Sequence, residues 1–170
     1  RRFGGGLEPG TIANVRFVEK GHVELVRLED MVVEWPAWKA AGSLQKLMAL
    51  NVTLELADRM LAPAHASRGR FNLLQRWIMF LGDNEPQRVH MHAFYYKWLA
   101  ASGLAPVFDV CVSCRKALAD RWNISAAQGG IVCNGCRTFG TGHVSVEADV
   151  LKYLQGFKLG RISDSVSGSI

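Results

Sequence analysis

The chain has 170 residues, of which 49% are hydrophobic and 21% charged, and its 20 Lys and Arg against 15 Asp and Glu give a formal net charge of +5. These proportions are those of an ordinary soluble globular protein. No apolar run approaches the roughly 18 residues that a membrane-spanning helix needs, so we expect no membrane partner. The sequence begins with Arg1 instead of Met, and we expect that the start of the protein is missing.

The positive charge is unevenly spread along the chain. Residues 1–36 carry five Lys or Arg against six acidic residues, and residues 145–170 carry three of each. Residues 37–107 carry eight against four, and residues 108–144 carry four against two. A basic middle region is compatible with a nucleic-acid partner, although the distribution alone does not define a site.

Residues 1–36 show the two-residue periodicity of β-strands. Apolar and polar residues alternate over 11–18, a pattern typical of a half-buried strand. A second β-type run covers 23–28, and 31–33 form a third short run, so we expect two or three antiparallel strands. Because two strands are marginal alone, these strands are predicted to belong to a sheet whose first strands precede Arg1.

The periodicity then changes to that of α-helices. Apolar residues spaced by three and four predict a long helix over 47–61, ended by Pro63, and a second helix over 71–81. A third helix is predicted over 87–101 by the same spacing. Three amphipathic helices with short connections indicate a small bundle over residues 37–107.

The end of the third helix is clearly marked in the sequence. Gly103 suits the left-handed backbone position that often ends a helix, with Leu104 as the apolar contact after it. Pro106 cannot continue a helix. We therefore predict that the chain leaves the bundle here and enters a different kind of segment.

That segment contains all four cysteines, as two Cys-x-x-Cys pairs with eighteen residues between them: Cys111, Cys114, Cys133 and Cys136. Zinc ribbons use a spacing of about fifteen to twenty residues. Four thiolates suit a tetrahedral Zn²⁺, so we predict one structural zinc ion. Disulfides are an alternative, but they typify small secreted chains without a core. Zinc-spaced thiols with no further cysteine favour a reducing cytosol.

Short β-type runs between the cysteine pairs predict the two hairpins of a zinc ribbon over residues 108–144. Ser145 then suits a helix N-cap, with Glu147 in the first turn. This helix, over 145–160, would close the helical domain, so the ribbon is predicted to be an insertion between helices. The Ser-rich residues 161–170 predict a frayed tail.

Four cations lie directly beside the cysteine pairs or between them: Arg115, Lys116, Arg121 and Arg137. If a metal fixes the backbone at the cysteines, these side chains project from one rigid surface. There, Arg can bind a phosphate in a bidentate manner and Lys can act as a point charge. The same cations could instead only offset the negative charge of a zinc tetrathiolate. Both interpretations remain open at this point.

The sequence contains no catalytic motif that we can identify. It has no HExxH, GxSxG, Walker loop or GxGxxG pattern. A closed Cys₄ site leaves the metal no open position for substrate, so we predict a protein that is not an enzyme. A thiol oxidoreductase is a distant alternative, because it would use one Cys-x-x-Cys pair and leave the other without a role.

Several local patterns resemble one known family. A Gly-Leu-Ala-Pro segment at 103–106 comes shortly before the cysteine pair at 111–114, and Gly-Gly-Ile-Val-Cys stands at 129–133. A basic Gly-rich stretch at 1–10 precedes the strands and helices. This order resembles the RecO family of bacterial recombination mediators through most of residues 1–157.

The resemblance implies an α+β fold: the C-terminal part of an OB-fold barrel over residues 1–36, then an α-helical bundle with an inserted Cys₄ zinc ribbon. It implies a non-enzymatic role in DNA repair of the RecF-pathway type, in the bacterial cytoplasm at the nucleoid. RecO-like proteins bind single- and double-stranded DNA and anneal complementary strands. They also engage the C-terminal tail of single-stranded-DNA-binding protein and act with RecR to load RecA.

The family's functional residues carry over by position. Its zinc ligands match the four cysteines, and Arg1 and Arg2 fall where its basic OB-fold loop lies. The glycine that usually follows the first cysteine pair is replaced by Arg115. The leading hypothesis is therefore a RecO-like mediator that binds DNA, and the alternative is a zinc-stabilised protein-interaction scaffold without direct DNA binding.

Overall fold

The computed structural model describes residues 3, 6–19, 26–61, 66–117, 121–137 and 142–160, except the side chain at 159. It is a mixed α/β structure that divides into two compact units, Arg1–Pro86 and Gln87–Ile170. Arg1, Arg2 and the tail predicted over 161–170 lie outside the described residues. None of the described helices is long and apolar enough to cross a membrane.

The N-terminal unit begins with an antiparallel pair of strands, β1 (Ile12–Val18) and β2 (Arg27–Trp35). The predicted first strand is confirmed. The described residues form two strands, because β2 continues without interruption through residues 29 and 30, where the sequence pattern predicts a break between two runs. Asp30 lies opposite Arg16 and pairs with its guanidinium at 3.3 Å. The two adjacent acidic residues that separate the apolar runs in the sequence, Glu29 and Asp30, therefore lie inside one strand.

A short 3₁₀ helix, Ala37–Ala41, leads into α1 (Leu44–Met60) and α2 (Arg68–Asp83), which contact each other and confirm the first two predicted helices. Ser43 caps α1, because its Oγ accepts a hydrogen bond from the Lys46 N–H at 3.2 Å. The core is apolar, apart from one buried hydroxyl: its buried members include Ala40, Leu50, Ala57, Trp77, Ile78, Leu81 and Thr53.

A hydrogen-bond chain links the two helices through that hydroxyl. The indole N–H of Trp77 donates to Thr53 Oγ1 at 2.9 Å, and Thr53 Oγ1 donates to the Ala49 carbonyl at 2.7 Å. All three residues are buried. The Thr53 hydroxyl and the Trp77 indole N–H are therefore both satisfied within the N-terminal unit.

The C-terminal unit opens with α3 (Arg88–Ala101), which confirms the third predicted helix. The helix ends as the sequence indicates, with Gly103 at φ 76°. The N–H groups of Leu104 and Gly103 donate to the carbonyls of Leu99 (2.8 Å) and Ala100 (3.1 Å), which are the two bonds of a Schellman motif.

The segment after α3 forms a three-stranded antiparallel sheet with the order β4-β3-β5. Its strands are β3 (Arg121–Ser125), β4 (Gly130–Val132) and β5 (His143–Glu147), and α4 (Ala148–Leu159) follows. The predicted hairpin of β3 and β4 is confirmed.

The prediction of Ser145 as a helix N-cap is wrong. Ser145 lies in β5 opposite Asn123, and Glu147 occupies the N-cap position of α4. The cause is tertiary, since Val144 and Val146 lie opposite Ile124 and Trp122 of β3 and extend the apolar side of the sheet. Strand pairing there outweighs a local capping signal.

The hydrophobic core of the C-terminal unit spans the sheet, both helices and the cysteine segment. Its buried members are Phe108, Cys111, Trp122, Ile131, Val132 and Leu151, and its partly buried members include Tyr96, Val112, Ile124, Cys133, Cys136, Val146 and Leu154. Helices α3 and α4, which flank the cysteine segment in the chain, contact each other. Three of the four cysteines are thus members of a core to which both helices contribute.

Candidate metal centre

The four predicted cysteines converge on one point. The Sγ atoms of Cys111, Cys114, Cys133 and Cys136 all lie within 4.8 Å of one another, so these residues could hold a metal ion. All four are free thiols. The Sγ atoms of Cys114 and Cys133 are 3.7 Å apart, well beyond a disulfide bond of about 2.05 Å. Four sulfurs at about 2.3 Å from a tetrahedral Zn²⁺ would lie about 3.8 Å apart, so the donor set and its spacing fit this ion.

A tight turn positions the first pair. The Cys111 N–H donates to the Lys116 carbonyl at 3.0 Å, and the Arg115 N–H donates to the Cys111 carbonyl at 2.9 Å. Arg115 has φ 61° and is the one non-glycine residue with positive φ among the described residues. The left-handed backbone region costs energy for a residue with a Cβ. The turn therefore places Arg115 in a conformation that glycine adopts more easily.

The second pair follows β4 directly and continues into a 3₁₀ turn, Asn134–Cys136. The Cys136 N–H donates to the Cys133 carbonyl at 3.0 Å. The two turns are joined by the Val112 N–H, which donates to the Ile131 carbonyl at 2.9 Å. Backbone pairing therefore holds the two cysteine pairs face to face.

The pKa values of two of the thiols, Cys111 and Cys136, are shifted in opposite directions. Burial raises the pKa of Cys111, but the backbone N–H groups of Cys114, Cys133 and Ser113 outweigh this effect and lower the pKa to about 6. Hydrogen bonds with the thiols of Cys133 and Cys114 raise the pKa of Cys136 to about 12. The backbone donors thus stabilise a thiolate at Cys111, the form that binds a metal.

Two side chains of α4 attach this helix to the segment that leads into the site. Gln155 Nε2 donates to the Phe108 carbonyl at 2.7 Å, and Lys158 Nζ pairs with Asp109 at 2.9 Å. Sequence reasoning missed both contacts. Gln155 and Lys158 are three residues apart and so share a helix face, but nothing in the sequence indicates the partners that they find.

The predicted cations of this segment are exposed: Arg115, Lys116, Arg121 and Arg137. Arg115 and Arg137 directly follow Cys114 and Cys136, whose sulfurs are neighbours in the cluster. No carboxylate of the described residues forms an ion pair with any of the four cations. Arg121 differs from the others, because it lies opposite Glu147 in the sheet register.

The comparison with known proteins agrees with the resemblance seen in the sequence. The family model described as "Recombination protein O C terminal" matches residues 41–167. The chain belongs to the RecO family. The match includes α1 to α4 and all four cysteines.

Curated relatives in the RecO family carry the name "DNA repair protein RecO". The protein from Anaeromyxobacter dehalogenans (strain 2CP-C) is 28% identical over 137 residues, which cover 80% of this chain and 54% of that protein. The protein from Myxococcus xanthus is 29% identical over 160 residues (94% and 65%), and the one from Frankia casuarinae is 31% identical over 149 residues (86% and 60%). The chain spans about half the length of the first of these relatives.

Proposed function

We propose that this chain is part of a non-enzymatic recombination mediator that binds single- and double-stranded DNA and anneals complementary strands during repair. The observation that carries the proposal is the cluster of four thiols in a RecO-family chain, with exposed cations that lack carboxylate partners in the described part of the chain. Backbone that is held rigidly by the cluster would present these cations to phosphates without ordering a flexible loop first.

The metal is proposed to be one structural Zn²⁺ held by Cys111, Cys114, Cys133 and Cys136. The four free thiols and the 3.7 Å separation of two of them support this assignment. When bound, zinc would supply four metal–sulfur bonds and leave no open coordination position for a substrate. Its contribution is therefore structural: it would fix the two turns from which the cations project.

The proposed DNA contacts comprise the four cations of the ribbon, namely Arg115, Lys116, Arg121 and Arg137. Arg1 and Arg2, outside the described residues, are proposed to add contacts from the N-terminal region. Arg115 and Arg137 can bind a phosphate in a bidentate manner, whereas Lys116 acts as a point charge. Such contacts are independent of base sequence and depend on salt.

The β1–β2 hairpin is proposed to be the last part of an OB-fold barrel over residues 1–36. Val15 and Phe17 of β1 and Val33 of β2 lie on one side of the hairpin in its register, and all three are exposed. A two-stranded sheet with an exposed apolar side needs further strands for stability. The helical domain (37–107), the ribbon insertion (108–144) and the closing helix (145–160) complete the proposed architecture.

The proposed partners are RecR and the C-terminal tail of single-stranded-DNA-binding protein, with which the mediator would load RecA. The proposed location is the bacterial cytoplasm, at the nucleoid. These assignments rest on family membership and on the name that the relatives carry.

The direct test is annealing of complementary strands that are coated with single-stranded-DNA-binding protein. We expect the full-length protein to accelerate annealing, and its DNA affinity to fall steeply as salt rises. A variant with Arg115, Arg137 and Lys116 changed to Ala should lose most of this affinity, while a Lys152→Ala control on the exposed side of α4 should not. DNA affinity that is absent or indifferent to salt would contradict the proposal.

The second candidate is a zinc-stabilised protein-interaction scaffold that does not touch DNA. The position of Arg121 opposite Glu147 favours it, because cross-strand pairs of opposite charge stabilise a sheet without any ligand. This candidate predicts that the triple Ala variant retains every property of the wild type in DNA assays. The same experiment therefore separates the two functions.

A further inference from the structure

The turn that holds the second cysteine pair contains the only Asn-Gly step of the sequence, Asn134-Gly135. Asparagine is among the chemically labile side chains, and the residue that follows it controls how readily it reacts. The backbone nitrogen of that next residue attacks the side-chain carbonyl carbon, and a glycine has no Cβ to hinder the approach. Neither residue has a role in the proposed function, although both stand between two predicted metal ligands.

The reaction that these two residues allow is deamidation. The Gly135 backbone nitrogen gives its proton to water and forms a bond to Cγ of Asn134, and the Cγ–Nδ2 bond breaks to release ammonia. The product is a cyclic succinimide. Water then opens the ring at one of its two carbonyl carbons and leaves aspartate or isoaspartate at position 134. One water is consumed and one ammonia is released, so no other reactant is needed.

Solvent reaches both residues in the folded protein. Asn134 and Gly135 are exposed. A Cβ placed on Gly135 would meet no described atom within 4 Å, so the space around the reacting nitrogen is open. Burial therefore does not protect this step, and any protection must come from the conformation of the turn.

The backbone of the folded turn holds the reacting atoms apart. Asn134–Cys136 form a 3₁₀ helix, in which ψ is about −20 to −30°. Closure of the succinimide ring requires Cβ of Asn134 and the Gly135 nitrogen to be nearly eclipsed about the Cα–C bond, and a helical ψ keeps them far from that arrangement. The Cys136 N–H donates to the Cys133 carbonyl at 3.0 Å and maintains this conformation. The reaction therefore requires the turn to open.

A second contact holds the side chain that would react. Nδ2 of Asn123 donates a hydrogen bond to Oδ1 of Asn134 at 3.0 Å. Asn123 is only 2% exposed and lies in the central strand β3, opposite Val132 on one side and Ser145 on the other. The Asn134 carboxamide is thus anchored to the sheet, and the anchor acts only while the turn is folded against β3.

We propose that Asn134-Gly135 is a deamidation site that the metal-bound turn protects, so that loss of the metal makes a reversible opening permanent. The inference rests on the proposed zinc site and adds a modification to it. Isoaspartate inserts one extra carbon into the main chain between Cys133 and Cys136, so the hydrogen bond that closes the turn and the spacing of the two sulfurs are lost. Aspartate instead adds a negative charge beside the thiolates. Both products should lower the affinity for zinc.

The test follows the mass of the peptide that contains Asn134, because deamidation replaces an NH₂ group by OH. The full chain is incubated at neutral pH in three states: zinc-loaded, stripped with a chelator, and unfolded in urea. We expect conversion in the zinc-loaded protein to be at least about 10-fold slower than in the stripped protein, because opening of the turn limits it. The other exposed asparagines precede larger residues and serve as internal controls that should stay unchanged: Asn14, Asn51, Asn72 and Asn84.

Zinc rebinding measures the consequence of the modification. Stripped protein that is reloaded at once should recover stoichiometric zinc, whereas recovery should fall in step with the isoaspartate content as incubation proceeds. Competition with a chromogenic chelator measures the zinc, and a protein carboxyl methyltransferase that is specific for isoaspartate measures the product.

Substitution separates the site from its protection. Gly135→Ala adds a Cβ where the structure has room and φ is not positive, so this variant should bind zinc normally but lose most of the reaction in the stripped state. Asn134→Gln is a second variant, since its longer side chain would have to close a six-membered ring. Asn123→Ala removes the anchor and should speed deamidation of the zinc-loaded protein by about 3- to 10-fold.

Three results would overturn the inference while zinc is still bound by the loaded protein. These are equal rates with and without zinc, unchanged deamidation in Gly135→Ala, and full zinc recovery by stripped protein whose Asn134 has been converted. Elemental analysis that finds no zinc would overturn the proposed metal site, and with it this inference. The two failures are therefore distinguishable.

Discussion

The two units of this protein use different means to close their cores. In the N-terminal unit, the hydrogen bond from Trp77 to Thr53 joins α1 and α2. Both side chains find their hydrogen-bond partners in the protein alone. In the C-terminal unit, the core contains Cys111, Cys133 and Cys136 beside Trp122 and Leu151. The cysteine cluster is therefore part of the packing that joins the sheet to the helices.

This difference has a consequence for folding. A metal that binds only the folded arrangement of four thiols contributes its binding energy to folding. Because the thiols share a core with Leu151 of α4 and Tyr96 of α3, that energy should stabilise the whole C-terminal unit. The N-terminal unit has no such dependence among its described residues.

Replacement of one buried ligand should have the largest effect. Cys111→Ser removes the fully buried thiol, and structural zinc sites contribute about 10–16 kcal/mol of apparent binding energy to folding. We expect loss of stoichiometric zinc and loss of the C-terminal unit's unfolding transition, while the transition of the N-terminal unit stays. Elemental analysis and calorimetry check this. A variant that keeps its zinc, or loses both transitions together, would contradict the contrast.

A distant core substitution should reach the metal as well. Leu151→Ala removes a fully buried side chain from α4, which typically costs about 2–5 kcal/mol. Because folding and metal binding are coupled in this unit, zinc affinity should fall too, as measured by competition with a chromogenic chelator. Val150→Ala, at an exposed position on the same helix, is the matched control and should change neither quantity.

The corresponding change in the N-terminal unit should leave the metal untouched. Thr53→Val keeps the shape of the side chain but removes the acceptor of the Trp77 indole N–H, at a cost of about 1–3 kcal/mol. We expect a lower unfolding temperature for this unit and wild-type zinc affinity. A drop in zinc affinity would show that the two units are one cooperative body.

The sequence predicted the cysteine cluster better than the long-range contacts that surround it. The spacing of the cysteines sufficed to place four thiols together, and apolar periodicity sufficed for α1 to α3, because both signals are local. The prediction for Ser145 failed because a serine in this sequence context suits both a helix N-cap and a strand. Pairing with β3, which is not visible in the local sequence, decides for the strand. The contact of Gln155 with the Phe108 carbonyl joins residues 47 positions apart, and no local pattern encodes such a contact.

Arg115 offers a test in which stability and binding move in opposite directions. Its φ of 61° costs about 1–2 kcal/mol relative to glycine, so Arg115→Gly should stabilise the C-terminal unit. The same change removes a proposed phosphate contact, so the slope of log affinity against log salt should fall by about 1. Lys116→Gly is the control, because it removes a cation where the backbone has no positive φ and should lower stability. Equal stability changes in the two variants would contradict the interpretation.

The smallest effect concerns pH and the start of α3. Burial lowers the pKa of His90, whose Nδ1 accepts the Gln87 N–H at 3.0 Å. The unfolded chain therefore binds a proton more readily than the folded one, so this contribution to stability is complete above pH about 6.5 and is lost as pH falls below it. His90→Gln keeps an acceptor at the same helix position without titrating.

We expect the C-terminal unit of the His90→Gln variant to lose less stability between pH 7.5 and pH 5.5 than the wild type does. Thermal unfolding at the two pH values measures this difference. Protonation of the cysteine ligands affects both proteins equally and cancels in the comparison. An identical pH dependence in the two proteins would exclude His90 as the titrating group.

Hydrogen exchange on the zinc-loaded and chelator-stripped protein tests the central claim most directly. Metal removal should abolish amide protection across β3, β4, β5 and α4 together, and leave α1 and α2 as protected as before. Loss of protection confined to the two cysteine turns, or no loss at all, would show that the metal is peripheral to the fold and contradict this account.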